Sequence, residues 1–290
     1  MIKLVVSDMD GTLINKKCKI SSKNVEAIYR LIDNDIEFAI ASGRDYLSVV
    51  EVMKQYNIEC EAILGNGAQY CDKNGHVLMS CYMDKSVVKD VVAILEDKNA
   101  PYMIITTNGV YTGQEPSFVR NSFIERGGRK FGSKPSDYEK GGFVENAPVN
   151  FLVKINDYDE FLEKDLEIIK IETFSLEPNE VLDIQKKLKD IQNIAYLSSF
   201  DDNIEITDQH AQKGLILEKV IKLKGLSKEE VIVLGDGMND LTMFEHFPYS
   251  YAPNNAEETI KNLAHIVVND CDDDGFSEAI YLMFNEFYEE

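Results

Sequence analysis

Near the amino terminus, residues 2–12 read IKLVVSDMDGT, a short apolar run that stops at two carboxylates and a glycine. Three later segments repeat this pattern of an apolar run before a polar or glycine-rich turn, at residues 36–41, 62–64 and 231–234. Runs that are apolar at successive positions are typical of central strands in a parallel sheet, because helices cover both faces of such a sheet. The four segments therefore predict the central strands of an α/β domain.

Segments with helical periodicity lie between these runs. Apolar residues recur along one helical face over residues 25–32 and again over 215–223, where Gly225 follows as a predicted helix end. Alternating strands and helices predict an open, doubly wound parallel sheet. In such sheets ligands bind beyond the carboxyl ends of the strands, so we expect the four polar turns to lie close together.

The middle of the chain has a different pattern, with strand-like and helical segments at short intervals. This pattern favours a mixed α+β sheet. We predict a discontinuous core domain at residues 1–82 and 200–290, and an inserted α+β domain at residues 83–199. Within the insert we predict four helices, at residues 87–95, 118–125, 161–169 and 181–191. We also predict a glycine- and lysine-rich loop at residues 127–142.

The composition narrows the range of partners. The 290 residues include 51 acidic and 30 basic side chains, which gives a formal net charge of −21. The electric field of this net negative charge repels the phosphate backbone of nucleic acids, so we expect no nucleic-acid partner. No apolar run approaches the ~20 residues that cross a bilayer, and we expect no membrane partner. The five cysteines are scattered and never form a CxxC motif, which is typical of reduced thiols in a cytoplasmic protein.

Two pairs of carboxylates follow predicted strands. Asp8 and Asp10 come after the first, and Asp236 and Asp240 stand in GDGMND after the fourth. The spacing of the second pair predicts both carboxylates on one face at a helix start. Taken alone, each pair could also be a turn or a helix cap. Acids from two strand ends, with no histidine or cysteine beside them, indicate a hard cation and favour Mg²⁺ over zinc.

A serine, an arginine and a lysine complete the candidate set. Ser42, Gly43 and Arg44 follow the second predicted strand, and they offer a hydroxyl and backbone N–H groups of the kind that hold phosphate oxygens. Lys213 opens a predicted helix. Each of these residues alone would be an ordinary surface residue. Together with the acids, they indicate phosphate chemistry.

The four motifs occur in a recognisable order, which is DMDGT at 8–12, SGR at 42–44, KG at 213–214 and GDGMND at 235–240. In this order they resemble the haloacid dehalogenase superfamily, and more narrowly the Cof-like phosphatases. Further segments match that subfamily, namely GNGA at 65–68, IEIT at 204–207 and DG at 274–275. The stretch APNNA at 252–256 departs from the AMGNA that is frequent in the family and keeps only its first alanine and the Asn255-Ala256 pair. The resemblance implies a Rossmann-like core with an inserted α+β cap domain that determines substrate specificity.

The resemblance also implies a mechanism, phosphoryl transfer to water through an aspartyl-phosphate. Asp8 would be the nucleophile. Asp10 would protonate the leaving oxygen and then deprotonate the attacking water. The Mg²⁺ ion would be bound by Asp8, by the backbone carbonyl of Asp10 and by Asp236.

The resemblance implies that the remaining candidate residues either bind the phosphate group or hold other site residues in place. The phosphate oxygens would be bound by a group of side chains and backbone amides, those of Met9, Ser42, Gly43, Lys213 and Asn239. Thr12, Arg44 and Asp240 would hold the reacting groups and metal ligands in place.

Two other functions are compatible with the same motifs. One is a sugar phosphomutase of the same superfamily, and the other is a non-catalytic sugar-phosphate sensor. For the phosphatase, the expected partner is a small phosphorylated metabolite, either a sugar phosphate or a phosphorylated cofactor or nucleotide. The sequence makes no prediction about the oligomeric state.

Two further segments carry charges that invite a functional interpretation. Basic residues cluster in the insert, at Arg120, Arg126, Arg129, Lys130, Lys134 and Lys140. They could bind a second anionic group of the substrate, but a solvated loop is the preferred interpretation. Residues 270–275 read DCDDDG, as in a calcium loop, yet Tyr281 stands where such a loop needs a bidentate glutamate. We therefore predict a turn before the last helix.

Overall fold

The computed structural model describes residues 1–142, 144–175, 177–199 and 202–288. The chain divides into two units, one formed by Met1–Cys81 with His210–Glu290 and the other by Tyr82–Gln209. The described strands are, in chain order, β1 (Leu4–Ser7), β2 (Glu37–Ala41), β3 (Glu61–Leu64), β4 (Gln69–Cys71), β5 (Val77–Ser80), β6 (Tyr102–Thr106), β7 (Gly109–Thr112), β8 (Leu152–Lys154), β9 (Ile168–Phe174), β10 (Ile194–Leu197), β11 (Asn203–Asp208), β12 (Val231–Leu234), β13 (Tyr249–Pro253) and β14 (Ile266–Val268). The described α-helices are α1 (Ser22–Asp33), α2 (Tyr46–Lys54), α3 (Val88–Asp97), α4 (Pro116–Phe131), α5 (Tyr158–Leu162), α6 (Pro178–Leu188), α7 (Lys213–Lys224), α8 (Leu241–His246), α9 (Glu258–Leu263) and α10 (Gly275–Phe287).

The sheet of the first unit is mostly parallel. Among its described residues, eight strands lie in the order β14-β13-β12-β1-β2-β3-β4-β5. Neighbours from β14 through β3 run parallel, and β4 and β5 form an antiparallel edge. In the centre, Val5 of β1 is in register with Ile232 of β12 and with Phe38 of β2.

Both faces of this sheet are buried. Val5 belongs to one apolar cluster, which includes residues of α1 and α10, whereas Leu4 and Val6 belong to a second cluster with residues of α7, α8 and α9. All three side chains are at most 1% exposed. Successive side chains of a strand point to opposite faces, so a strand that is apolar throughout needs a helical layer on each side. The predicted doubly wound α/β fold is confirmed.

The second unit is an α+β structure. In its described part, six strands lie in the order β10-β11-β9-β6-β7-β8, with antiparallel neighbours except for the parallel pair β7 and β8. Ile104 of β6 packs in an apolar cluster with residues of α3 and α6. Met103, on the opposite face of the strand, packs with Val119 of α4.

The boundary of the second unit differs from the predicted one. We expected the insert to end at residue 199, but the second unit extends to Gln209. The reason is that β11 pairs with β9 on one side and with β10 on the other. Its Ile204 and Ile206 are fully buried in the same apolar cluster as Ile104. The IEIT segment at 204–207 is therefore part of the second sheet.

Two predicted elements of the insert are wrong. The expected helix at 161–169 ends at Leu162, and Ile168 already begins β9, where it pairs with β6. The expected loop at 127–142 begins instead as helix, because α4 continues to Phe131 and ends at Gly132 in the left-handed conformation (φ 71°). Tertiary pairing overrides local composition in both places.

Four of the six basic residues lie in α4 and have partners, so the predicted solvated loop is wrong for Arg120, Arg126, Arg129 and Lys130. Arg126 is 5% exposed and donates two hydrogen bonds of 2.8 and 2.7 Å to Asp202. Lys130 lies 2.9 Å from the same carboxylate. Of the other members, Arg120 donates to Asn150, Arg129 pairs with Glu125, and Lys134 and Lys140 are exposed.

Residues 270–275 form the predicted turn. Cys271–Asp273 is a single 3₁₀ turn whose Asp270 carboxylate accepts a hydrogen bond from the Asp272 amide, and α10 starts at Gly275. Lys16 forms ion pairs with Asp270 and Asp272. In the described part of the chain, no helix combines the length and apolar character that crossing a membrane requires.

A close contact at the start of α7 provides a test of this packing. A Cβ atom on Gly214 would lie 2.2 Å from the backbone of Thr242, whereas one on Gly225 would meet nothing within 4 Å. We expect Gly214→Ala to lower the free energy of unfolding by roughly 2–3 kcal/mol through overpacking, although alanine favours helix. Gly225→Ala has only the strain of its positive φ and should cost about 1 kcal/mol. Urea unfolding of both variants measures the difference, and equal losses would contradict the packing argument.

Candidate active site

The predicted site residues lie at one edge of the first sheet. Strand β1 lies between β12 and β2, so the turns that follow these three strands are neighbours. Asp8 follows β1 directly, Ser42 follows β2, and Asp236 lies just beyond β12. Lys213, the first residue of α7, contacts the same group of acids. The structure therefore brings the four motifs together at the carboxyl ends of the strands.

Lys213 lies between two carboxylates. Its Nζ atom is 2.7 Å from Asp8 Oδ1 and 2.6 Å from Asp240 Oδ1. The lysine and Asp240 are fully buried, and Asp8 is 6% exposed. A buried charge is tolerated only when it is paired, and a buried ammonium with two carboxylates meets that condition. Lys213 therefore fixes the position of one oxygen of Asp8.

The two acids of the GDGMND motif have different surroundings. Asp240 Oδ2 accepts hydrogen bonds from the amides of Asp236 and Gly237, at 2.9 and 3.0 Å, so both of its oxygens are engaged. Asp236 Oδ1 accepts a hydrogen bond of 2.9 Å from the Thr12 hydroxyl. The predicted common helix face is wrong, because Asp236 precedes the 3₁₀ turn Met238–Asp240 and α8 begins only at Leu241.

Three carboxylates at this edge could hold a metal ion. Oxygen atoms of Asp8, Asp236 and Asp240 all lie within 4.8 Å of one another. The donor set consists of oxygen atoms only, which suits a hard cation such as Mg²⁺. Because Asp240 is already bound to Lys213 and two amides, Asp8 and Asp236 are the better candidates for direct ligands.

Asp10 lies outside this carboxylate group and is bound by Arg44. The guanidinium donates from Nε to Oδ2 at 2.7 Å and from Nη2 to Oδ1 at 2.6 Å, which is a bidentate pair. The backbone amide of Arg44 also donates to Ser42 Oγ at 3.2 Å. Bidentate pairs fix the plane and direction of a carboxylate. The structure thus orients Asp10 from the SGR turn.

The remaining predicted phosphate ligands lie in the same turns. Met9 is fully buried between Asp8 and Asp10, and Gly43 follows the buried Ser42. Asn239, in the GDGMND turn, is 7% exposed. Its Nδ2 atom donates to Asn66 Oδ1 at 3.2 Å.

Burial dominates the electrostatics of the acids. Burial, together with the charges of Asp240 and Asp10, raises the pKa of Asp8 from 3.8 to about 7, even though Lys213 acts in the opposite direction. Burial also raises the pKa of Asp236 well above its usual range, and the charges of Asp8 and Asp240 add to this effect. Burial alone would lower the pKa of Lys213, but its two carboxylate partners outweigh burial and raise it. Burial therefore favours the neutral forms of Asp8 and Asp236.

Two asparagines join the motifs without having been assigned a role from the sequence. Asn255 donates to the carbonyl of Gly11 at 2.8 Å and accepts from the amide of Cys271 at 2.8 Å, so it links the DMDGT turn to the turn before α10. Asn66 contacts Asn239. Both lie in segments that match the Cof-like phosphatases, and this match was the available signal.

Fold and site together define a doubly wound α/β protein with a cluster of carboxylates at the carboxyl ends of its strands. The sequence model of the haloacid dehalogenase-like hydrolases matches residues 5–280, and the chain belongs to that family.

Individual relatives cover nearly the whole chain. Phosphatase YwpJ of Bacillus subtilis is 27% identical over 285 residues, which span 96% of this chain and 99% of that protein. The 5-amino-6-(5-phospho-D-ribitylamino)uracil phosphatase YwtE of Bacillus subtilis is 26% identical over 287 residues, which span 96% of this chain and 97% of that protein. The solved structure of a haloacid dehalogenase-like hydrolase from B. subtilis matches with a TM-score of 0.82 at 26% identity, over 97% of this chain and 99% of that one. These similarities confirm the predicted family and enzyme class.

The raised pKa of Asp8 predicts a pH-dependent stability of the metal-free protein. Between about pH 4 and about pH 7 the folded state binds a proton that unfolded Asp8, with its ordinary pKa of 3.8, has lost. Stability should therefore fall as pH rises through this window, by at most about 1.4 kcal/mol per pH unit for one group. Asp236 acts in the same direction.

The matched control is Asp8→Asn, which keeps the shape of the side chain but cannot titrate. We expect its free energy of unfolding, measured with urea and a chelator at pH 5 and pH 7.5, to depend less on pH than that of the unsubstituted protein. Parallel curves for the two proteins would contradict the assignment of the raised pKa to Asp8.

Proposed function

We propose that this phosphatase hydrolyses phosphate monoesters of small metabolites, with Mg²⁺ as its cofactor, through an aspartyl-phosphate on Asp8. The observation that carries the proposal is the placement of the Asp8 carboxylate at the end of β1, nearly buried and bound through Oδ1 to Lys213. A carboxylate whose position is fixed can attack an electrophile without first losing rotational freedom.

In the first step, an oxygen of Asp8 forms a bond to phosphorus while the bond to the leaving oxygen breaks. Asp10 donates a proton to that oxygen. In the second step, Asp10 takes a proton from water, which attacks phosphorus and releases Asp8 together with inorganic phosphate. The bidentate pair with Arg44 fixes the direction of the Asp10 carboxylate. Because both oxygens accept from the guanidinium, the pair has to open at one oxygen before that oxygen carries the proton that Asp10 donates.

Asp8, Asp236 and the backbone carbonyl of Asp10 would bind the metal ion. When bound, Mg²⁺ supplies positive charge that offsets the acids and the phosphate. Thr12 would orient Asp236 through its hydroxyl, and Asp240 would hold Lys213 and the GDGMND turn.

The transferred phosphoryl group carries its charge on equatorial oxygens, and donors held in place for those oxygens lower the barrier. We assign this role to Lys213, the Ser42 hydroxyl, the backbone amides of Met9 and Gly43, and the Asn239 side chain. Lys213 would then share its charge between the phosphate and its two carboxylates.

The physiological substrate is proposed only as a class. The relative YwtE is named for a phosphorylated ribitylaminouracil, which supports a small phosphorylated metabolite as the substrate. A panel of sugar phosphates, nucleotides and phosphorylated cofactors tests this class directly. We also propose a cytoplasmic location, for which the described cysteines, all of them free thiols, are the supporting observation.

Removal of the metal ion should stop turnover of p-nitrophenyl phosphate. We expect activity to fall to background after chelation and dialysis, and Mg²⁺ to restore it better than Ca²⁺, because calcium accepts looser coordination. The thermal unfolding midpoint of the chelated protein is the control for an intact fold. Unchanged activity after exhaustive chelation would argue against a metal-dependent reaction.

Substitution of Asp10 should separate the two proposed proton transfers. With an alkyl phosphate the leaving group is strongly basic, so Asp10→Asn should slow formation of the phosphoenzyme by on the order of 10²–10⁴. Nitrophenolate needs little protonation, so the same variant should form the phosphoenzyme readily but hydrolyse it slowly. Rapid mixing should then show a burst of nitrophenol close to one equivalent per active site, and none with the alkyl ester.

The Asp8→Asn variant is the negative control in the same experiment. It has no carboxylate at position 8 to attack phosphorus, so it should give no burst with either ester. Phosphate trapped on the protein is the second readout. If Asp10→Asn slowed both steps equally for both esters, Asp10 would be a structural residue and the acid–base role would be abandoned.

A further inference from the structure

The turn Gly65–Gly67 follows β3 at the same edge of the sheet and has no role in the proposed reaction so far. It is a short 3₁₀ turn in which Asn66 has φ 58° and ψ 25°, in the left-handed region. Asn66 is fully buried. A buried polar side chain on a residue with positive φ requires an explanation, because glycine would supply that backbone conformation at lower cost.

The backbone of this turn contacts the SGR motif and the residue that precedes the KG motif. The amide of Asn66 donates to the carbonyl of Ser42 at 3.0 Å, and the amide of Gly65 donates to the carbonyl of Arg44 at 3.1 Å. A Cβ atom on Gly67 would lie 2.7 Å from the backbone nitrogen of Gln212, the residue before Lys213. The turn is therefore packed between the SGR segment and the start of α7.

The side chain of Asn66 reaches the fourth motif. Its Oδ1 atom accepts a hydrogen bond of 3.2 Å from Nδ2 of Asn239, and both residues are at least nine-tenths buried. An amide group held through one N–H has a fixed plane, so its other polar atoms have fixed directions. The contact thus restrains the side chain to which we assigned phosphate binding.

We propose that Asn66 is a positioning residue that acts through Asn239, orienting the Asn239 amide for the phosphate group of the substrate. The inference rests on the proposed function. It explains why the turn carries asparagine, since asparagine accepts the left-handed conformation more readily than other non-glycine residues and also supplies the accepting oxygen.

The test uses a substitution that removes the side chain without straining the backbone. Asn66→Gly keeps the left-handed turn and deletes the contact with Asn239. Asn57→Gly is the matched control, because Asn57 also has a positive φ (54°) in the first unit but is exposed and lies outside the motifs. Thermal unfolding of both variants shows whether the fold is kept.

A double-mutant cycle with Asn239→Ala measures whether Asn66 acts through Asn239. A hydrogen bond to a charged group is lost in Asn239→Ala, so kcat/KM for p-nitrophenyl phosphate should fall roughly 10- to 100-fold. Asn66→Gly should lower it about five- to tenfold, with a parallel weakening of inorganic phosphate binding measured by calorimetry. In the Asn239→Ala background, Asn66→Gly should cause less than about a twofold further loss.

Each outcome has a distinct meaning. Multiplicative losses in the double variant, or unchanged kinetics and phosphate binding in Asn66→Gly, would overturn the positioning role. A loss in Asn57→Gly equal to that in Asn66→Gly would do the same, because the effect would then be unspecific. If the unsubstituted protein turned over no phosphate ester, the proposed function would fail, while phosphate binding by the same variants would still test the contact between Asn66 and Asn239.

Discussion

Lys213 carries a charge that is fully removed from solvent, and the carboxylates of Asp8 and Asp240 compensate it. Loss of one partner from a buried charge pair costs about 3–5 kcal/mol, since it leaves a charge without compensation. The three groups come from the end of β1, the turn after β12 and the start of α7. Their mutual attraction therefore couples the correct assembly of three distant chain segments to the position of the carboxylate that we propose as the nucleophile.

Under the proposed function, the same arrangement would let a strongly acidic chain bind a phosphate group. Repulsion by exposed charges is screened beyond about 8 Å at physiological ionic strength, whereas buried charges at contact distance are screened much less. The local balance of Lys213, Arg44 and the backbone amides against the acids therefore matters more than the net charge of −21. Burial raises the pKa of Asp8 to about 7 against the opposing charge of Lys213, so the loss of hydration outweighs the pairing at this position.

Buried charge pairs also organise the second unit. Lys170 is 6% exposed and pairs with Glu205 and Glu172, and Arg126 pairs with Asp202. Glu205 and Asp202 are far from their partners in the chain, whereas Glu172 lies on the same strand as Lys170. The segment predicted as a loop at 127–142 is helical as far as Phe131, and its Lys130 pairs with Asp202, a partner that the local glycine-rich sequence does not indicate.

The order of the motifs by itself determined the family, the doubly wound core and the edge of the sheet at which the site lies. The family follows from the resemblance that the four ordered motifs carry. The core and the sheet edge follow from local patterns, an apolar strand and the polar turn after it, combined with the rule that parallel strands share their carboxyl edge. Only the tertiary structure decided that Asp240 turns back to the amides of Asp236 and Gly237, that Arg44 binds Asp10, and that Asn66 contacts Asn239. It also placed β11 in the second sheet. Most of these contacts join residues far apart in the chain, and the Asp240 contacts depend on the backbone conformation of one turn. Hydrophobic periodicity and residue spacing therefore do not predict them.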